Sequence, residues 1–130
     1  MRLIREFMAA LQLLLEGKDL EHRREELKKL YEQYIGPYEL YHNATIDVAM
    51  RALASYDEGQ RLERMEMLAE LYYAEADTVT GPDRNFLLEK AFNLFSFIER
   101  NGKTFSMDRR YKMALIEQRL KKCSGKTRCE

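Results

Sequence analysis

The chain has 130 residues, 45% hydrophobic and 34% charged, with 8 Tyr, 6 Phe, 6 Gly and 2 Pro, a profile far from the aromatic-poor composition of disorder. Lys plus Arg equals Asp plus Glu at 22 each, so no net field draws the chain to nucleic acid or to an anionic membrane, and neither is expected as a partner. One helix-rich domain over 1–122 is expected, with a C-terminal tail over 123–130.

The first helix spans about 2–16, with Ile4, Phe7, Met8, Leu11, Leu14 and Leu15 on one face at helical spacing. Arg2 and Arg5 ahead of this run imitate a secretory signal. Glu6 and Gln12 interrupt it, however, it ends in Glu-Gly-Lys-Asp with no small-residue cleavage site, and it is too short to cross a bilayer. The expected location is the cytoplasm. Gly17 stops this helix, and Asp19 caps a second whose stripe is Leu20, Leu27, Leu30, Tyr31 and Tyr34.

Gly36-Pro37 ends the second helix, and Tyr38 to His42 is expected as an irregular aromatic connection before Asn43 caps a short third helix carrying Ile46, Ala49, Met50 and Leu53. Ser55-Tyr-Asp-Glu58 matches a capping box and opens the longest helix, ending near Thr78 to Thr80. Gly81-Pro82-Asp83 reads as a turn, a fifth helix covers about 84–100, and a sixth runs from a Ser106 cap to about Lys122. The fifth leaves only Glu89, Asn93, Ser96 and Arg100 as a polar stripe, so it is expected to be flanked on both sides and, with the fourth, to form the centre. The fold class is therefore all-α, about six helices in antiparallel hairpins.

Leu68-Ala69-x-x-Tyr72 resembles the Leu-Gly-x-x-Tyr of tetratricopeptide repeats, and Leu88-x-x-Ala91-Phe92 resembles the second helix of that repeat. With Leu-Tyr-Tyr-Ala-Glu-Ala, Leu-Leu-Glu-Lys-Ala-Phe and Thr-Phe-Ser-Met-Asp-Arg, the chain looks like an uncharacterised bacterial family of small tetratricopeptide-like proteins. The resemblance implies a right-handed stack of hairpins that binds a peptide or partner protein on its concave face.

Two carboxylate-x-x-His matches, Asp19-Leu-Glu-His22 and Glu39-Leu-Tyr-His42, are half of a di-iron bundle site and define the alternative, a metal-dependent enzyme with a carboxylate/His site. Neither is placed mid-helix and no inward Glu pair accompanies them, so no metal, cofactor or catalytic residue is assigned. Cys123 and Cys129 could close a loop or hold a soft metal, but an inert tail is the expectation. The better candidate is a surface. Opposite the apolar stripe of the longest helix lie Glu63, Glu66, Glu70, Tyr73 and Asp77, an aromatic in an acidic row suited to a basic peptide. The plainer reading is a solvated face with Tyr73 packed against the neighbouring third helix. Tyr38 and Tyr41 are a second aromatic candidate, with burial as a plug over the core the plainer role. The first helix is apolar over a wide arc, and a homodimer through it is expected if that arc is exposed.

Overall fold

The computed structural model describes residues 2–17, 19–102 and 106–124. Its elements, in order, are α1 (Arg2–Leu15), α2 (Leu20–Tyr34), α3 (Tyr38–Asn43), α4 (Ile46–Leu53), α5 (Glu58–Ala76), α6 (Gly81–Asn101) and α7 (Met107–Ser124). The described residues contain no strand, and none of their helices is long and apolar enough to cross a membrane.

α5 is the axis of the core. It makes its most extensive contact with α6, receives α1 and α2 on another side, and touches α4, while α7 packs on α6. Its buried residues, among them Met65, Met67, Leu68, Leu71, Tyr72, Ala74 and Ala76, cover several sides of the helix, as befits an element enclosed by neighbours. On α6, Leu87, Leu88, Ala91, Leu94, Phe95 and Ile98 are buried, and on α1 Phe7 and Leu11 close the far end. Removing this apolar surface from water is the dominant stabilising term.

Four local expectations are corrected. Tyr38 to Asn43 is a helix, α3, and not an irregular connection, which makes the number of described helices seven. Asn43 lies at its end, where its side-chain amide donates to the Glu39 carbonyl at 2.9 Å, and the cap of α4 is Thr45. Asp57 rather than Ser55 caps α5, its carboxylate accepting the Gln60 amide at 3.0 Å, while the Ser55 hydroxyl turns back to the Ala52 carbonyl. Gly81-Pro82 is also not outside the helix but forms the first turn of α6. Gly81 adopts a φ of +62°, which glycine accepts without strain, and a proline in the first turn costs no hydrogen bond.

A recurrent device joins these helices. α1, α2 and α5 have no basic residue in their own last turn, so the exposed carbonyls of each C-terminus are met from elsewhere. Arg23 of α2 donates to the carbonyls of Leu15, the last residue of α1, and of Gly17 just past it. Arg64 of α5 donates to Tyr34 at the end of α2, and Arg24 of α2 donates to Thr78 just past α5. Arg61 of α5 serves the carbonyls of Ala54 and Tyr56 after α4. Four arginines thus fix helix ends to one another.

Candidate functional site

Two polar constellations stand out. The first is buried under α3. Glu75 of α5 is 5% exposed, and its carboxylate accepts from Tyr31 Oη at 2.7 Å, Tyr38 Oη at 2.5 Å and His42 Nδ1 at 2.9 Å. A carboxylate can only accept, so the imidazole proton sits on Nδ1. Burial pushes the Glu75 carboxyl up, but the hydrogen bonds from His42, Tyr38 and Tyr31 outweigh it and hold it below the usual carboxylate range. The Tyr38 and His42 rings stack at 4.9 Å, and Tyr38 meets Tyr31 edge-on at 5.0 Å.

Next to it lies a buried lysine. Lys90 of α6, 2% exposed, donates to the carbonyls of Tyr41, His42 and Ala44 at 3.3, 2.9 and 2.8 Å, so the C-terminal end of α3 is capped by an ammonium from another helix. Its Nζ also lies 4.2 Å from the ring centroids of Tyr72 and Phe86. Burial pulls this amine down to about 8, against the pull of Glu75 in the other direction. Tyr72 completes the set by donating to the Tyr41 carbonyl at 2.6 Å. Donors and acceptors are matched within this cluster, which locks α3 onto α5 and α6.

The second constellation runs between α5 and α7. Glu66 takes Arg109 at 3.3 Å, Glu70 takes Lys112 at 2.6 Å, and Asp77 takes Arg119 at 3.1 Å. Both sets of numbers rise together, so α7 lies parallel to α5 with the two ladders in register. Glu99 of α6 adds a fourth carboxylate, 2.7 Å from Arg109 Nε and 3.0 Å from Arg110 Nε, and these contacts hold its carboxyl below the usual range. Glu70 is 4% exposed and burial pushes its carboxyl up, although Lys112 pulls the other way. Burial works against the Lys112 charge, yet Glu70 and Asp108 hold its amine above its ordinary value. Lys112 lies 5.8 Å from the Tyr73 ring centroid.

The sequence-derived candidates divide between these places. Glu66, Glu70, Tyr73 and Asp77 do share one face, but that face meets α7 instead of open solvent. Glu63 of the same row turns to α1, accepting the Ile4 amide at 3.0 Å. Tyr41 is buried and Tyr38 is half-buried on Glu75. The two carboxylate-x-x-His matches are not brought together. Asp19 caps α2 through the Glu21 amide, His22 and Glu39 are exposed, and His42 belongs to Glu75. Among the described residues no three His, Cys, Asp or Glu side chains gather as a metal would require. Cys129 lies outside the described residues, as does the side chain of Cys123 in the last turn of α7. Sequence reasoning assigns no site role to Glu75, Lys90 or Arg109. A charge set among buried neighbours, in Tyr72-Tyr-Ala-Glu75-Ala76 and Leu88-Glu-Lys90-Ala91, was the available signal.

Compared with protein-family models, curated proteins and solved structures, the chain matches none.

Proposed function

We propose that this chain is a non-catalytic, tetratricopeptide-like interaction module of the cytoplasm that binds a peptide or partner protein. The observation that carries the reading is the acid–base seam of α5 and α7. A row of carboxylates flanking Tyr73 grips a helix through bases spaced along it by about one turn and then two turns, so this face has the spacing and charge that helix recognition needs. The neighbour relations support the stacked architecture. α1 and α2 pack together, α5 lies against both, α6 covers α5, and α7 lies on α6 and parallel to α5, as in stacked hairpins.

A peptide library presented to the purified full chain tests the reading. Saturable binders rich in Lys and Arg are the expected outcome, and a library without any saturable binder overturns it. Self-association through α1 is a separate proposal. Phe7 and Leu11 of its apolar arc are buried and Ile4, Met8, Leu14 and Leu15 half-buried, which leaves Leu13 beside the arc, 72% exposed, as its support. A dimer in sedimentation that Leu13→Glu dissociates would support it, and a monomer at high concentration would end it.

A further inference from the structure

α7 is held differently from the helices it touches. α6 buries seven residues, whereas among the described side chains of α7 only Arg109 and Ile116 are fully buried, with Met113 and Leu120 packed part-way against the core. Its grip on α5 is instead three ion pairs, and one member of each is at least 17% exposed. Both members of each pair are rehydrated when α7 leaves, which offsets the attraction lost, so α7, with few buried apolar side chains, is suited to opening at a lower free energy than the α5–α6 pair. Its fit is also incomplete. A cavity of about 270 Å³, open to solvent and lined mainly by apolar surface, lies between Phe92 of α6 and Leu120 of α7, with Glu117 and Lys121 at its rim.

We propose that the face of α5 and α6 beneath α7 is a docking site for a basic amphipathic helix of a partner protein, with α7 as the internal occupant that the partner displaces. The proposal rests on the interaction-module reading and names the partner. α7 supplies the template: Arg or Lys at positions one, four and eleven, after Arg109, Lys112 and Arg119, and apolar residues at five, eight and twelve, after Met113, Ile116 and Leu120. Glu66, Glu70, Asp77 and Glu99 select against an acidic helix by placing like charges opposite it. The cavity beside Leu120 gives the partner its advantage, since a bulky aromatic at position twelve fills space that α7 leaves open.

The chain contains no Trp, so a synthetic peptide of residues 106–124 carrying Leu120→Trp reports its own burial by fluorescence when added to the full chain. A saturable blue shift is expected. It should weaken about tenfold or more when the peptide also carries Arg109→Glu and Lys112→Glu, a loss of about 1.4 kcal/mol or more. Affinity should rise when the chain itself carries Ile116→Ser, which loosens its own α7. Circular dichroism checks that this variant remains folded, and Lys112→Gln in the chain replaces it if it does not. Equal binding of the charge-reversed peptide, or no blue shift with either wild type or the loosened chain, overturns the proposal. Library peptides that bind without competition from the probe would overturn this inference and leave the interaction-module reading standing. An empty library together with a silent probe would end both.

Discussion

The Tyr38 hydroxyl donates to Glu75 Oε2 at 2.5 Å, tying the first residue of a six-residue helix to a carboxylate near the end of the central one. An isolated helix of that length is unstable in water, so α3 owes its shape to what it docks against. Glu75→Gln keeps the volume but replaces one acceptor oxygen with a donor, leaving a tyrosine or the imidazole facing an amide. The expected loss is about 1–3 kcal/mol in urea unfolding, against about 1 kcal/mol for Tyr38→Phe, which removes one donor and leaves the carboxylate its other two. Because the Glu75 carboxyl titrates below its unfolded value, its contribution is present above pH 4.5 and is lost as the pH falls through the lower, folded value.

Lys90 gives a pH dependence of the same sign in a higher range, although here it is the charged form that burial disfavours. Its amine titrates at about 8 in the folded chain and at 10.5 when exposed, so between these values the unfolded state holds more protons. Stability therefore rises with pH from about 8 toward 10, by at most about 1.4 kcal/mol per unit. The rise ends where the unfolded tyrosines begin to ionise near pH 10 while Tyr31, Tyr34, Tyr38 and Tyr72, all pushed up by burial, keep their protons. Urea unfolding at pH 7, 8, 9 and 9.5 measures this slope, and Lys90→Met should abolish it. A wild-type slope that survives in Lys90→Met would assign the effect to another group.

How much of this was legible depended on distance along the chain. The apolar repeats of 62–79 and 86–98 identified the central pair, because burial on several sides writes itself into a local pattern. α3 was missed because six residues are too few to establish a period, and Gly36-Pro37 reads as a break. The spacing of the α5 row places Glu66, Glu70 and Asp77 on one face, but Glu63 turns to α1, and α7 closes the rest of that face. Its partners Arg109, Lys112 and Arg119 lie 42 or 43 positions away, and nothing in the spacing of Glu66, Glu70 and Asp77 announces them. Lys90 was passed over for a related reason. It meets α3 through backbone carbonyls, which every residue has and no sequence pattern marks.

Gly36 permits a close approach. An added Cβ would lie 2.7 Å from Tyr41 Cε2, and that ring is buried and fixed at its backbone by Tyr72 and Lys90. Gly36→Ala should cost about 1–3 kcal/mol through this overlap. Gly81→Ala should cost a similar amount for a different reason: nothing lies within 4 Å of the new methyl group, but the φ of +62° disfavours any side chain. Pairing each with Tyr41→Leu separates the causes. The smaller side chain should recover part of the Gly36→Ala loss and none of the Gly81→Ala loss in thermal unfolding.

Arg109 tests what the seam contributes to folding as distinct from recognition. Its side chain is 1% exposed, and it is held by Glu99 at 2.7 Å and Glu66 at 3.3 Å, so removal of one carboxylate leaves a guanidinium in a site built for a charged partner. Glu99 has the shorter bond and is the less exposed of the two, 16% against 27%, so water compensates less for its loss. Glu99→Gln is expected to cost about 1–3 kcal/mol, and Glu66→Gln less than about 1 kcal/mol. Replacing the two most buried members, with Arg109→Met and Glu99→Leu together, should cost less than Glu99→Gln alone, because the partners left behind, Glu66 and Arg110, are the more exposed ones and can turn to water. Equilibrium unfolding of the three variants checks the order. If the double variant proves the least stable, the ion pair itself, and not the avoidance of an orphaned charge, is what holds the start of α7 against α6.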